Sequence, residues 1–348
     1  MDVIKVILPT VLSFFIGLAV TPFFTRFFHR YRLWKKLPRT EEETNKAFSD
    51  LHDPENETRT PRLGGVIIWV AVFLAISLIY LISGFFPSEL TEKLNFLSRS
   101  QTLVPLGAFF FAALLGLLDD LIQISGKGAT YEHDVLYRKV KIAFVTLIGV
   151  VVGWWFYFKI DFSSVHIPFW GDLELGLLFI PFFILVMLAT FSTSVIDGID
   201  GLAGGVLVPI FTAFAAIALI NNQIDISALS GAIAGGILAF LWFNVPPARF
   251  YMGETGMMAL TVVLSVIAFL TNSVLLLPII ALPLVATSLS VIIQIVGFKF
   301  FGGRRVFRVS PLHHHFQALG WSKERIVMRY WIVSFVSALT GVIIALVS

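Results

Sequence analysis

Residues 113–125 read ALLGLLDDLIQIS, an almost wholly apolar run that contains two adjacent carboxylates, Asp119 and Asp120. Such a run is typical of a membrane helix, and charges beside a bilayer are costly unless a cation binds there or water reaches them. The carboxyl end of a helix also disfavours anions, because the helix dipole is negative there. Solvated carboxylates at a helix end are the simpler interpretation. The alternative is that the pair forms part of a binding site. The positions of the other polar residues in the chain distinguish the two interpretations.

The composition extends this pattern to the whole chain. Of the 348 residues, 57% are hydrophobic and only 14% are charged, whereas about a quarter of an average soluble domain is charged. Apolar runs near the ~20 residues that a bilayer requires recur throughout. They occupy residues 3–28, 63–85, 102–123, 139–158, 173–193, 201–220, 227–243, 255–271, 274–298 and 328–347. The sequence therefore predicts an all-α polytopic membrane protein with about ten transmembrane helices, forming one integral-membrane domain over residues 1–348.

The distribution of basic residues predicts the orientation of these helices. If the loops alternate between the two sides, one side receives all but four of the 25 lysines and arginines; the exceptions are Lys5, Lys93, Arg99 and Lys159. Cytoplasmic loops carry the excess of positive charge, so both termini are predicted to be extracytoplasmic. Alternating apolar residues and a Gly-Asp turn in residues 159–175 predict a short external hairpin. The net charge of +3 does not indicate a nucleic-acid partner.

Five polar stretches lie at helix ends or loops on the predicted cytoplasmic side. They are RTPRLGG (59–65), LLDD (117–120), SVIDGIDGLAGG (194–205), FNVPPARFYMGETG (243–256) and PLHHHFQALGW (311–321). Singly, each has a simpler explanation, because glycines suit close helix packing and a histidine run suits a polar loop. Their common side nevertheless predicts an active site that faces the cytosol.

The residue types in these stretches indicate metal and phosphate chemistry. The carboxylates are Asp119, Asp120, Asp197, Asp200 and Glu254, and the cations around them are Lys127, Lys139, Lys141, Arg249, Arg304, Arg305 and Arg308. Clustered carboxylates in a chain without cysteine suit a hard divalent ion, Mg²⁺ or Mn²⁺, while the cations suit phosphate groups. At a membrane surface this combination suggests phosphoryl transfer that involves a lipid. The paired aspartates are therefore predicted to serve that reaction.

At these motifs the chain resembles the polyprenyl-phosphate N-acetylhexosamine-1-phosphate transferases, most closely the branch that uses UDP-N-acetylmuramoyl-pentapeptide. The resemblance runs from TPRLGG (60–65) to the last helix, and PLHHHF (311–316) followed by GW (320–321) is its most specific part. It implies a multi-pass protein of the bacterial inner membrane that uses Mg²⁺, with Mn²⁺ as an alternative. The implied reaction transfers phospho-N-acetylmuramoyl-pentapeptide to undecaprenyl phosphate and releases UMP. Membrane lipid and a second copy of the chain are the other implied partners.

The resemblance also implies roles for single residues. Asp119 and Asp120 match the catalytic pair, with Asp119 the favoured activator of the lipid phosphate and a second metal ligand beside Glu254. The substrate-binding positions are matched by Lys139, Asp197, Asp200, Asn244, Tyr251, Gln294, His314 and His315, among which Tyr251 matches an aromatic residue that stacks on uracil. His313 is the histidine implied to lie closest to the reacting phosphates.

The chain departs from the family pattern at several of these positions. Ser194 and Ile196 stand where the family has Asn and Thr, and Glu254 stands where it has Asp. Gln317 replaces a glutamate after the histidines. The family lysine before the TPRLGG stretch has no counterpart, since Glu57 and Thr58 stand near its place and Arg59 is the nearest cation.

Three other functions compete with this interpretation. The first is transfer of a different amino-sugar phosphate, such as N-acetylglucosamine-1-phosphate, within the same superfamily. The second is a transporter of phosphorylated lipids or sugars, although transporters usually place their binding carboxylates near the bilayer midplane. The third is an inactive homologue, for which Glu254 is the main argument.

Overall fold

The structure is a computed structural model that describes residues 2–34, 59–97, 100–125, 131–300, 303 and 305–348. Within these ranges the α-helices, numbered in chain order, are α1 (Asp2–Arg30), α2 (Gly65–Phe85), α3 (Glu89–Leu94), α4 (Ser100–Ser125), α5 (Tyr131–Lys159), α6 (Phe179–Phe191), α7 (Leu202–Ile220), α8 (Ile224–Asn244), α9 (Gly253–Leu270), α10 (Leu277–Ile280), α11 (Leu282–Phe300), α12 (Leu312–Ala318) and α13 (Lys323–Val347). Short 3₁₀ turns, Gly176–Leu178, Ser192–Ile196 and Val274–Leu276, extend or separate some of them.

Ten helical segments of the described chain are long and apolar enough to cross a membrane. This number confirms the ten spans predicted from the apolar runs. The ninth predicted span, residues 274–298, differs in detail because the chain turns through Val274–Leu276 and the short helix α10 before the long helix α11 begins at Leu282. Pro278 and Pro283 lie at this break, and proline cannot supply a helical N–H.

Helix α9 lies at the centre of the molecule, where every residue from Thr255 to Leu270 is buried. It packs against α4, α6 and α2. Glycines allow the closest approaches: a Cβ atom at Gly65 of α2 would contact the backbone of Gly256. Helices in a bilayer gain little from hydrophobic attraction to one another, because the lipid tails are also apolar. They associate through close van der Waals packing, which small residues such as glycine permit.

The predicted hairpin is present between α5 and α6. Strand β1 (Ser164–Ile167) pairs antiparallel with β2 (Gly171–Glu174), with Ser164 opposite Glu174. Phe169 and Gly171 in the turn have positive φ angles of 68° and 90°. This hairpin is the one sheet in the described ranges, and the other regular elements there are helices.

Candidate active site

The amino terminus of α9 is bound by a carboxylate from α4. Asp120 accepts hydrogen bonds from the backbone N–H groups of Glu254 (3.1 Å) and Thr255 (2.9 Å), and the Thr255 hydroxyl donates to the Ala113 carbonyl (3.0 Å). A Cβ atom at Gly116 would contact the Glu254 carbonyl, so the two helices touch here. The dipole that disfavours Asp120 in α4 favours it at the start of α9. The cost noted for this residue is thus offset by a second helix.

Two further carboxylates hold the segment that joins α8 to α9. Asp197 accepts a hydrogen bond from the Gly253 N–H (3.1 Å), and Asp200 accepts one from the Ala248 N–H (3.0 Å). Gly253 has a φ of +71°, and a Cβ atom there would contact the carbonyl of Arg62. Only glycine fits such a position. The aspartates at 197 and 200 therefore shape the backbone beside Glu254.

Asn244 joins this segment to the turn before α7. Its buried side chain accepts a hydrogen bond from the Gly201 N–H (2.9 Å) and donates one to the Phe250 carbonyl (2.8 Å). From the other side, the indole of Trp331 in α13 donates to the Gly201 carbonyl (3.0 Å). A Cβ atom at Gly205 would overlap that indole. The turn is thus held by side chains from two different helices.

Lys141 of α5 connects two of the predicted site carboxylates. Its ammonium lies 3.2 Å from Asp119 Oδ2 and 3.1 Å from Glu254 Oε1, and Gln123 donates to the same Asp119 oxygen at 2.7 Å. Asp119 is only 4% exposed. Lys139, the lysine implied by the resemblance, is exposed. Residues two apart on a helix point about 200° away from each other, so only one of the two lysines can face this cluster.

Arg62 is a site residue that sequence reasoning missed. The backbone of Gly64 donates to the Tyr251 carbonyl (2.8 Å), and the Tyr251 N–H donates to the Pro61 carbonyl (2.7 Å). These bonds bring Arg62 to the carboxylates, and its Nε is buried without a hydrogen-bond partner. The signal was present, since Arg62 is the one cation inside the quoted TPRLGG stretch.

The electrostatics of this region follow from burial. Burial raises the pKa of Asp197 to about 6, although the opposing charge of Arg62 lowers it. Burial also raises the pKa of the Tyr251 phenol, and the carboxylate of Asp200 raises it further. The cation thus offsets part of the cost of placing a carboxylate in an apolar environment.

The histidine stretch packs against the turn that contains Asp197. His313 is fully buried, and a Cβ atom at Gly198 would meet the rings of both His313 and His314. Neither ring nitrogen of His313 has a hydrogen-bond partner, whereas His314 Nδ1 lies 2.6 Å from Gln317 Oε1. Burial, aided by His314, lowers the pKa of His313 well below its ordinary value. Its imidazole is therefore neutral at pH 7.

The loop before the histidines is positioned by side chains. Gln294 of α11 accepts a hydrogen bond from the Phe307 N–H (2.9 Å), and His315 accepts one from the Arg308 N–H (3.2 Å). Burial and the charge of Arg308 lower the pKa of His315. Gln294 of α11 and His315 of α12 thus hold the segment that joins these two helices.

The structure brings all five polar stretches to one end of the helix assembly through these contacts. Of the predicted cations, Arg249 is exposed and packs over the Phe243 ring at 5.3 Å. Lys127, Arg304, Glu57 and Thr58 lie outside the described residues.

Comparison with known proteins identifies the family. The model of glycosyl transferase family 4 matches residues 102–272. The phospho-N-acetylmuramoyl-pentapeptide-transferase of Caldanaerobacter subterraneus subsp. tengcongensis is 31% identical over 335 residues, 96% of each chain. The chain belongs to the phospho-N-acetylmuramoyl-pentapeptide-transferase family. Relatives of the same name in Desulforamulus reducens and Heliobacterium modesticaldum are 36% and 32% identical over 82% and 95% of both chains, respectively. The resemblance inferred from the motifs is thereby confirmed.

Two carboxylates of the site are placed to hold a divalent ion. Among the described residues, no three histidine, aspartate or glutamate side chains form a ready-made metal cluster. Asp119 and Glu254 nevertheless converge on one cation, and Glu254 Oε2 is buried without a hydrogen-bond partner. Mg²⁺ is usually bound through one or two carboxylates, with substrate phosphates and water as its other ligands. The two carboxylates fit that arrangement.

Proposed function

We propose that the chain transfers phospho-N-acetylmuramoyl-pentapeptide from UDP-N-acetylmuramoyl-pentapeptide to undecaprenyl phosphate, forming lipid I and UMP. An oxygen of the lipid phosphate bonds to the β-phosphorus of the nucleotide sugar, and the bond from that phosphorus to the UMP oxygen breaks. The main support is the juxtaposition of Asp119, Lys141 and Glu254, which come from three membrane helices, in a family whose relatives carry that transferase name.

We propose that Asp119 and Glu254 hold Mg²⁺, or Mn²⁺ in its place. When bound, the ion supplies positive charge that stabilises the negative charge spread over the reacting phosphates. Carboxylate oxygens are the ligands that these ions prefer, and the unpartnered Glu254 Oε2 supports this assignment.

Some of the other site residues are proposed to neutralise the charge of the substrate phosphates, and others are proposed to position the groups around them. Lys141 and Arg62 would offset the charge of the diphosphate, and a neutral His313 would donate one N–H to a phosphate oxygen. Phosphoryl transfer requires little more of a protein than such positioning and neutralisation. The lipid phosphate is largely ionised near neutral pH, so activation by Asp119 would contribute through orientation more than through proton removal.

The positioning residues are proposed to act through the backbone. Asp120, Asp197 and Asp200 accept hydrogen bonds from backbone N–H groups at or before the start of α9. Asn244 accepts one from the Gly201 N–H before α7, and Gln294 accepts one from the Phe307 N–H before the histidines. We propose that they shape the nucleotide pocket, with Tyr251 stacking on uracil and with His314 and His315 reaching phosphates from its margin, whereas the exposed Lys139 faces away from the cluster.

The proposed setting is a bacterial inner membrane with the site facing the cytoplasm. The ten apolar helices support a multi-pass membrane protein. The loops predicted to lie on the side of the site carry nearly all the basic residues, as cytoplasmic loops do, which supports this orientation. A homodimer in that membrane remains part of the proposal.

An assay with purified protein tests the substrate. Undecaprenyl phosphate and Mg²⁺ are supplied with either UDP-N-acetylmuramoyl-pentapeptide or UDP-N-acetylglucosamine, and both UMP and lipid product are measured. We expect both products with the muramoyl nucleotide alone. UMP and lipid product with only the N-acetylglucosamine nucleotide would transfer the assignment to another branch of the superfamily. No turnover with either would favour an inactive homologue.

A further inference from the structure

Lys141 contacts the two carboxylates that are proposed to bind a divalent ion, and this contact is present in the metal-free protein. Asp119 and Glu254 come from different helices, yet one oxygen of each lies within 3.2 Å of the same ammonium. The side chains of Lys141 and Asp119 are only 19% and 4% exposed, so water screens this cluster poorly. Two carboxylates brought together in such a place repel each other unless a cation lies between them. Without a divalent ion, Lys141 is that cation.

We propose that Lys141 is a built-in counter-cation that competes with the divalent ion for Asp119 and Glu254. This inference rests on the divalent-ion site of the proposed function. The lysine stem is flexible, and its ammonium is a compact point charge that can withdraw as an ion enters. Because the ammonium occupies one oxygen of each carboxylate and repels an ion that approaches the other oxygen, Lys141 lowers the affinity for the ion. In this competition it acts as a positioning residue for the metal, separately from its proposed contribution to offsetting the charge of the diphosphate.

Glu254 can contact the ammonium and the ion with different oxygens. Its Oε1 accepts from Lys141 while its Oε2 has no hydrogen-bond partner. One carboxylate thus offers a free oxygen to the ion and a second oxygen to the lysine. The glutamate that departs from the family pattern therefore pairs with the ammonium directly.

Mn²⁺ binding, followed by the electron paramagnetic resonance signal of the free ion, tests the proposal without any turnover. The detergent-purified full chain and its Lys141→Met variant are titrated at pH 8 and constant ionic strength, with Lys139→Met as the matched control. Lys139 has the same charge two residues away but is exposed. We expect Lys141→Met to bind Mn²⁺ about tenfold or more tightly than the parent, since a repelling charge has been removed. Lys139→Met should stay within about twofold, because exposed charges are screened by salt.

Two further variants keep the test decisive. Lys141→Gln retains hydrogen-bonding capacity without charge and serves if the methionine variant does not fold; it should also bind Mn²⁺ more tightly. Lys141→Arg restores the charge and should return the affinity towards that of the parent. Equal or weaker Mn²⁺ binding by both uncharged variants would overturn the proposal.

The transfer assay, run in parallel, separates this inference from the proposed function. Lipid product from the parent combined with unchanged Mn²⁺ affinity in the uncharged variants would refute the role of Lys141 alone. A parent and variants that bind no Mn²⁺ would refute both the divalent-ion site and the competition. If the parent makes no lipid product but the uncharged variants bind Mn²⁺ more tightly than the parent does, the competition is supported. Only the substrate assignment is then refuted.

Discussion

At the scale of single residues, the adjacent aspartates Asp119 and Asp120 make different contacts, which indicate different functions. Asp119 pairs with Lys141 and has an environment suited to a cation, whereas Asp120 uses both of its oxygens on the backbone of α9. Adjacent residues on a helix face about 100° apart, which allows this division. The pair that looks like one motif in the sequence therefore separates into a chemical and a positioning residue.

Replacement of these aspartates by asparagine should separate the two tasks. Asp120→Asn leaves one N–H at the start of α9 without a good acceptor, so we expect about 1–3 kcal/mol lower stability together with lost turnover. Asp119→Asn should keep a parent-like thermal midpoint and lose about 10²-fold or more in rate, which is about 2.7 kcal/mol of barrier. Thermal unfolding in detergent and UMP release measure the two effects. Near-parent activity in both variants would contradict the assignment.

The burial of His313 makes a second prediction. Its lowered pKa means that the imidazole is neutral at pH 7, so a neutral amide can replace part of its function. We expect His313→Gln to retain more activity than His313→Ala, which should lose about 10²-fold, within the usual range for a positioned catalytic group. Gln317→Ala, which removes a contact to His314, is the control and should be milder. A larger loss from the Gln317 variant would reverse this order.

The charge of Glu254 carries a third prediction. Glu254→Gln removes one negative charge from the proposed metal site while keeping the side-chain length, so Mg²⁺-dependent transfer should nearly disappear. UMP release is measured against Mg²⁺ concentration for the parent, Glu254→Gln and Glu254→Asp. The aspartate variant should retain measurable activity because it keeps the charge. Parent-like rate and metal dependence in Glu254→Gln would show that this residue is no ligand.

At the scale of helices, glycine spacing decides which faces can meet. Gly116 and Gly107 both lie in α4, but a Cβ atom at Gly116 would contact the backbone of α9, and one at Gly107 would contact nothing. We expect Gly116→Ala to reduce both extractable folded protein and activity. Gly107→Ala should be neutral or slightly stabilising, since alanine favours a helix by about 1 kcal/mol over glycine. Equal behaviour in size-exclusion profiles and thermal unfolding would contradict this packing.

The helices were largely predictable from sequence because bilayer-length apolar runs are long and continuous. The break around α10 was not predictable, since the residues there are as apolar as a spanning helix and only Pro278 and Pro283 mark the change.

In the site, the residue types and their common side followed from the motifs. The choice between Lys139 and Lys141 did not, because it depends on the rotation of α5 against α4 and α9. The path of the segment before Gly253 likewise depends on carboxylates distant in sequence.

At the scale of the whole molecule, the charge distribution predicts which side faces the cytoplasm. The chain has no cysteine, so single cysteines can be introduced without removing others. Cysteines at Ser322 and Arg305 should react with a membrane-impermeant reagent only after the cells are opened, and those at Ser164 and Trp170 should react in intact cells. Labelling of residue 305 in intact cells would reverse the orientation. Residues 36, 98, 127 and 304 would also test the predicted orientation, but they lie outside the described residues.

The hydrogen bond from Trp331 to the Gly201 carbonyl has a consequence for biosynthesis. Helix α13 is the last of the described helices to leave the ribosome, yet its indole packs on the turn that carries Asp197 and Asp200. That turn therefore gains its final contact only when translation of the described chain is nearly complete. Earlier intermediates carry the carboxylates and histidines but lack this support. A chain that stops before α13 is therefore expected to lack this support for the turn.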